Sequence, residues 1–454
     1  MDKQLSEAAV YARSKGIVLK GDIAIGIYRY SADAWVAPHL YNMDGQAGAP
    51  PDDFATEGQN WGFPTYNWEA MAADGYQWWK QRFTQLSRYF DAFRIDHILG
   101  FFRIWETPYE QVEGIMGRFN PALPVRLEEF HQRGVYFDFD RFCRPFITDT
   151  VLYDLFGAET PYVQEHFLEP FHDRWQLKPA FATQRQLLAA LLPEQEHLKK
   201  GLFSLVSNVL FFEEPGSDGS AFHPRIDLHK TGSFRLLDAY TQGQISDLYN
   251  DYFYHRQEDF WEEKGRTKLP AIKEATNMLI CGEDLGMVPA CVPGVMKDLG
   301  ILSLEIQRMA KNPQTEFLQT ADIPYWSVCS PSTHDMSPVR LWWEEEEPGR
   351  RQRFYNHELG WWGQAPETCS PELASAMAWQ HLQWPAMWVV FPLQDILAID
   401  GDLRLPNPAA ERINIHAITQ HYWRYRMHIS AEALLRADAF NQRLYAMLQN
   451  TGRI

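Results

Sequence analysis

Positive charge is scarce in this 454-residue chain, where 42 Lys and Arg stand against 59 Asp and Glu and leave a formal net charge of -17. Nucleic acid and anionic membrane surfaces are polyanions, so that balance argues against both as partners. Cysteine is also sparse. Five residues (Cys143, Cys281, Cys291, Cys329 and Cys369) are odd in number and widely spaced. That pattern excludes a disulfide framework, offers no zinc spacing, and reads as free buried thiols in a reducing, cytoplasmic compartment. No stretch approaches the roughly eighteen uninterrupted apolar residues of a membrane span. Asp2, Lys3, Glu7, Arg13 and Lys15 predict that the opening residues form no signal h-region. Internal repeats, phosphate-binding glycine motifs and low-complexity linkers do not stand out. Aromatic residues, by contrast, are abundant at 14%, with 17 Trp. Such rings stack on sugars, although most serve as core. The length suits one large α/β barrel or two to three smaller domains.

Three polar groups each close a short apolar run. Tyr89, Phe90 and Phe93 lead to Arg94-Ile95-Asp96-His97; Met278 to Cys281 lead to Gly282-Glu283-Asp284-Leu285-Gly286; Trp326 to Cys329 lead to Ser332-Thr333-His334-Asp335. Runs of this length, with helical periodicity between them, predict buried parallel strands of an α/β protein. In a (β/α)-barrel the C-terminal strand ends carry the chemistry. Asp96, Glu283 and Asp335 are therefore expected at one rim.

Three carboxylates beside Arg94, His97 and His334 suit glycoside chemistry, in which one ionised carboxylate attacks and a second, protonated, group serves the leaving oxygen. Arg94 lies two residues before Asp96, on the same side of a strand, where its charge would hold Asp96 ionised. Each motif alone is weak. An Arg-x-Asp is more often a surface ion pair, Glu-Asp-Leu-Gly can be a strand ending in a turn, and Thr-His-Asp can cap a helix. Three together, each ending an apolar run, are harder to dismiss.

Along the chain, residues 4–15 read as a helix ended by Gly16, and 17–27 as a strand. Residues 39–66, rich in Gly, Pro and Asp, read as a long binding loop. A helix follows through Tyr76, Trp79, Phe83, Leu86 and Phe90. From Asp96 to Glu283 the numbers differ by 187, far more than a helix and strand need. Helical spacing at 126–133, 147–156, 181–192, 197–212 and 244–263 predicts a mostly helical insertion over 105–270, with a polar loop at 211–233. The expected division is thus a first barrel part (1–104), the insertion (105–270), and a second barrel part with C-terminal helices (271–454). Within that last part, 288–299 reads as a helix, 301–306 and 326–330 as strands, and 344–347 as a solvated helix face. Residues 387–391 read as the last barrel strand, with Gln394 and Asp395 at its rim.

Ser31 to Trp35, Ala49 to Phe54, Gly58 to Gly62, Phe93 to His97, Gly282 to Gly286 and Ser332 to Asp335 closely resemble, in order, motifs of the 4-alpha-glucanotransferases (amylomaltases) of glycoside hydrolase family 77. The resemblance implies a TIM (β/α)8-type barrel. Residues 17–27 would be its third strand, so the chain would lack the first two. It implies Asp96 as nucleophile, Glu283 as general acid/base and Asp335 as transition-state stabiliser. Arg94, His97 and His334 would line the donor-sugar pocket, with Gln59 and Trp61 as acceptor-side contacts. Phe222 to Arg225 and Ser233-Phe234 resemble the long type of the family, associated with maltose as donor and larger glucans as acceptor. His223, Arg225 and His229 are expected to be structural or solvated more often than catalytic. Tyr30, before Ser31, and Ile415-His416-Ala417, after Glu411 to Asn414, depart from the family's pattern. The expected reaction moves glucosyl or glucanosyl units from maltose or an alpha-1,4-glucan to the 4-hydroxyl of glucose or a glucan, with retention and with no metal or organic cofactor. An amylase-type hydrolase, or a glucan-binding fragment without catalysis, remains an alternative at this point.

Overall fold

A computed structural model describes residues 1–52, 55–415 and 422–454. The chain divides into two compact units. One comprises Ala92–Ile95, Leu279–Leu285 and Met296–Ile454; the other comprises Met1–Asp91, Asp96–Met278 and Gly286–Val295.

The first unit is built on parallel strands. Ala92–Ile95 pairs with Leu279–Gly282, setting Arg94 opposite Cys281. Cys281 makes a parallel bridge to Leu302, and the Gly282 N–H donates to the Leu302 carbonyl at 2.8 Å. Ser303–Ile306 pairs with Ser327–Ser330, which pairs in turn with Trp388–Val389. Phe93, Ile95, Ile280, Ile306 and Val328 are all buried, as near-continuous apolar strands require. Because the strands share one direction, their C-terminal ends lie on one edge of the array. Farther along, Trp343, Phe354, Leu373, Met377 and Phe440 form a buried cluster under the helices of this unit. The expected last strand is shorter than 387–391. Gln394 and Asp395 do not stand at an open rim, because both are buried in the helix Leu393–Leu397. Of the charge run, only Glu344 and Glu345 are helical, in Val339–Glu345, while Glu347 caps the next helix through the N–H groups of Gly349 and Arg350.

The second unit opens with the helix Asp2–Ser14 and the strand Lys20–Ile23, shorter than the expected 17–27. The 39–66 segment is not a loop. Gly45–Ala49 lies between Gln59–Asn60 and Ile104–Pro108 in an antiparallel sheet completed by Arg118–Asn120. Glycine suits this crowded place: a Cβ on Gly48 would lie 1.9 Å from the Gln59 carbonyl oxygen. The helix Gln77–Leu86 buries Trp79 and Phe83, and Trp79 meets Phe101 at 5.0 Å between ring centroids.

The 105–270 interval holds the helices Leu127–Gln132, Asp149–Phe156, Gln184–Ala190, Lys199–Val206 and Ala239–Tyr254, with Glu258–Lys273 running past its end. It also contains strands that the apolar spacing concealed. The 197–212 pattern breaks after Val206, because Val209 to Phe211 enter an antiparallel ribbon. The expected polar loop at 211–233 is largely that ribbon, Phe211–Glu213 against Ala221–Pro224, with Val125–Arg126 on its other side. All five cysteines are free; Cys281, Cys329 and Cys369 are buried, the other two half-buried. Among the described residues no helix is long and apolar enough to cross a membrane.

Candidate active site

In the parallel unit, Glu283 is the first residue past the Leu279–Gly282 strand. Its N–H donates to the Ile95 carbonyl at 2.9 Å, so the main chain at Glu283 is fixed to the residue that follows Arg94 and precedes Asp96 in sequence. The Glu283 Oε1 accepts the Leu285 N–H at 2.9 Å, which orients the carboxylate at the strand end. The neighbouring Asp284 points elsewhere. It is buried, accepts the Leu304 N–H at 2.9 Å, and ion-pairs with Lys311 at 2.8 Å. Lys311 also reaches Glu305 at 2.9 Å. Burial works against this ammonium, but Asp284 and Glu305 outweigh it and raise its pKa above the ordinary lysine value. Asp284 and Glu305 thus brace the strand ends as two buried carboxylates that share one lysine.

Asp335 follows the Ser327–Ser330 strand on a short turn. The turn is pinned from behind: the Ser332 hydroxyl donates to Asp395, and Asp395 Oδ1 accepts the Val339 N–H at 2.8 Å. Asp335 takes His334 Nε2 at 3.0 Å on one carboxylate oxygen and the Asn414 amide Nδ2–H at 3.1 Å on the other. Trp423 stands 5.3 Å from the His334 ring. Segments about 80 positions apart in sequence therefore meet at one carboxylate. Asn414 lies in the Glu411 to Asn414 stretch, which is anchored by the buried ion pair Arg340–Glu411 at 2.8 Å. Position 415 is described, but His416-Ala417, the rest of the departure noted above, lies outside the described residues, as do Asp53 and Phe54 of the 49–54 motif.

The other unit holds Asp96, His97, Gln59 and Trp61. The Asp96 N–H donates to the Ile23 carbonyl at 2.9 Å. His97 has φ 45 and ψ 60, a left-handed conformation uncommon outside glycine, and leads into the tight turn Ile98–Phe101. Its ring meets the Trp61 indole edge-on, 5.0 Å between centroids. Trp61 in turn donates its Nε1–H to Gln59 Oε1 at 3.0 Å. Gln59, Trp61 and His97 are thus one continuous side-chain group.

His223, Arg225 and His229 each have internal partners. His223 is fully buried between the Tyr252 hydroxyl at 2.8 Å and Glu214 at 2.6 Å. Arg225 donates to the Ile226 carbonyl at 2.8 Å, and His229 meets the Ser246 hydroxyl at 3.1 Å. Sequence reasoning did not single out Asn414 or Trp423 as site residues, and it placed Asp395 at a strand rim, not behind the Ser332 turn. Asn414 had a signal, the Glu-Arg-Ile-Asn stretch itself; Trp423 sits in an aperiodic segment and had none.

Parallel strands whose C-terminal edge presents a glutamate and a histidine-paired aspartate fit the (β/α) class of fold, which carries its functional groups at that edge. The comparisons assign the family. The family model for 4-alpha-glucanotransferase, glycoside hydrolase 77, matches residues 1–431, and the chain belongs to that family. It is 41% identical over 460 aligned residues to the 4-alpha-glucanotransferase DPE2 of Oryza sativa subsp. japonica, covering 99% of this chain and 48% of that protein. It is 24% identical to a 4-alpha-glucanotransferase of Chlamydia caviae, covering 97% of this chain and 57% of that one. The chain therefore spans about half the length of these curated relatives. Among solved structures it shares its fold with the amylomaltase from Streptococcus agalactiae, at a TM-score of 0.56, 16% identity, and coverage of 99% of this chain and 60% of that one. The fold is thus of the TIM-barrel type of the amylomaltases.

Proposed function

We propose that the chain carries the chemistry of a retaining 4-alpha-glucanotransferase, with maltose or an alpha-1,4-glucan as donor and glucose or a glucan as acceptor. Asp96 attacks the anomeric carbon while Glu283 protonates the departing glycosidic oxygen, giving a covalent glycosyl-enzyme. Asp335, held by His334 and Asn414, binds hydroxyls of the distorted sugar, and Arg94, His97 and His334 line the donor pocket. Glu283, now a base, activates the 4-hydroxyl of the acceptor, which Gln59 and Trp61 help to seat. Transfer prevails over hydrolysis to the extent that the site keeps water from the intermediate.

The observation that carries this reading is the joint placement of Glu283 directly past one parallel strand and His334-Asp335 past another, in a chain matched to this family over residues 1–431. The 105–270 segment is read as an insertion between barrel parts 1–104 and 271–454, and Lys20–Ile23 as the third strand of the family's barrel. The five free thiols support a cytoplasmic setting.

The test is release of glucose from maltose in the presence of glycogen. Asp96→Asn is expected to lower this rate on the order of 10^6-fold, as loss of a nucleophile does elsewhere. Undiminished turnover in that variant refutes the assignment. Chromatography of products from a single maltooligosaccharide separates transfer, which gives longer and shorter chains, from hydrolysis, which gives only shorter ones.

A further inference from the structure

We infer that Gln184, at the start of the helix Gln184–Ala190, is a positioning residue for the acceptor wall formed by Gln59 and Trp61. This rests on the acceptor-side role proposed for those two residues.

The argument begins with a buried amide. Gln184 has no exposed surface, and a buried amide persists only when its polar atoms are bonded. Its Oε1 accepts two backbone N–H groups, from Val112 and Glu113, each at 2.9 Å. Two donors on one atom fix which end of the amide is oxygen. The Nε2–H donates to Glu113 Oε2 at 2.8 Å. The main chain at the same helix start is tied as well: the Gln184 N–H donates to Gln111 Oε1 at 3.3 Å, and the Arg185 N–H to the Glu110 carbonyl at 3.1 Å. Thr183 and Gln186 cap this helix reciprocally, so it presents a rigid end to the 109–113 turn.

That turn holds the acceptor wall directly. The Asn60 Nδ2–H donates to the Val112 carbonyl at 3.0 Å, while Asn60 Oδ1 accepts the Gly62 N–H at 3.0 Å. One side chain therefore brackets Trp61 on both sides and ties it to the Val112–Glu113 peptide group, whose N–H is held by Gln184. The Ile115 N–H donates to the Glu57 carbonyl at 2.7 Å, closing the turn onto the approach to Gln59. The Trp61 indole then meets Gln59 and the His97 ring as described. The path runs from Gln184 to Val112 and on to Asn60 through hydrogen bonds of ordinary length, and Asn60 is the chain neighbour of Trp61. A segment 72 positions away from Val112 thus sets the place of the indole, and neither Gln184 nor Asn60 is itself required to touch a sugar.

Kinetics with maltose as donor and glycogen as acceptor test the inference. Gln184→Ala is expected to raise the KM for glycogen about five-fold or more while kcat and the KM for maltose stay within about two-fold. Asn60→Ala is expected to do the same, and the double variant to be no worse than the poorer single, because both break one path. Gln184→Glu sets a carboxylate against Glu113 and is expected to weaken acceptor use. The combined Gln184→Glu/Glu113→Gln restores one donor facing one acceptor and is expected to recover most of it. A purely structural role would instead shift both KM values together. An unchanged KM for glycogen in Gln184→Ala, or no recovery in the exchanged pair, overturns the inference while leaving the wild-type transfer reading intact. A wild-type chain that neither transfers nor binds maltoheptaose by calorimetry refutes that reading, and the inference with it.

Discussion

The strands of the parallel unit and the Gly45–Ala49 and Gln59–Asn60 strands of the other unit are held by different forces. In the first, four-residue strands such as Ala92–Ile95 and Leu279–Gly282 bury their apolar residues and are joined by evenly repeated backbone bonds. The hydrophobic effect fixes their place, and polar groups enter mainly at their ends. In the second, the strands Gly45–Ala49 and Gln59–Asn60, built from Gly, Gln, Ala and Asn, bury little apolar surface of their own, and the buried rings come from the neighbouring strands at Trp105 and Phe119. Their positions are set by side chains that bond main-chain groups: Gln46 to Pro108 and Gln111, Arg29 to Gly45, Asn60 to Val112, and Gln184 to Val112 and Glu113. Such bonds contribute only about 1 kcal/mol each, yet leaving a buried partner unsatisfied costs about 1–3 kcal/mol. A chain can thus carry an apolar scaffold and a polar, finely specified sheet edge, each with its own sensitivity to mutation.

Three changes break or sharpen that contrast. The largest expected effect is Gly48→Val. If the antiparallel sheet tolerated apolar bulk as a core strand does, valine would raise β propensity and help. Here its Cβ meets a backbone oxygen that cannot move aside, so urea unfolding is expected to show a loss of about 3 kcal/mol. The next is Asp395→Ala in the parallel unit. Removing this buried carboxylate strands the Val339 N–H and the Ser332 hydroxyl, and a loss of about 2–3 kcal/mol is expected. Transfer activity should fall with it, because Ser332 opens the turn that carries His334 and Asp335. Wild-type stability in this variant would mean that apolar packing alone holds the strand ends.

The smallest effect concerns pH. Burial, aided by the Glu57 charge, raises the Glu113 carboxyl from the ordinary 4.5 to about 7, against the pull of Gln184 and Arg225. A raised carboxyl means that the folded state holds its proton longer than the unfolded chain does. The stability this group contributes is therefore complete below pH 4.5 and lost as pH climbs toward about 7. Glu113→Gln keeps an acceptor for Gln184 and removes the titration. Its thermal unfolding curve should be flatter between pH 4.5 and 7.5, with a gain of roughly 1–2 kcal/mol over wild type at the upper end. Parallel pH profiles for the two proteins would show that Glu113 does not titrate in this window.

The expectations that held and those that failed divide along the same line. Phe93-Arg94-Ile95 and Ser327 to Ser330 are strands as their apolar runs predict, and Glu283 follows a strand directly. Gly45 to Ala49 were expected in a loop because glycine is a poor strand former. Close approach to Gln59, invisible in the local sequence, makes it the residue that fits. Phe211 and Phe222 were hidden by continuity with a helical pattern and by a polar stretch around Gly216 to Ser220.

The sequence by itself determined the family to which the chain belongs and which strands lead to the candidate carboxylates, because apolar runs and short motifs are local signals. Only the tertiary structure decided that Asn414 binds Asp335 and that Gln184 grips Val112. Such polar contacts carry no periodicity, and each partner is chosen only when the folded backbone brings distant segments within hydrogen-bond reach.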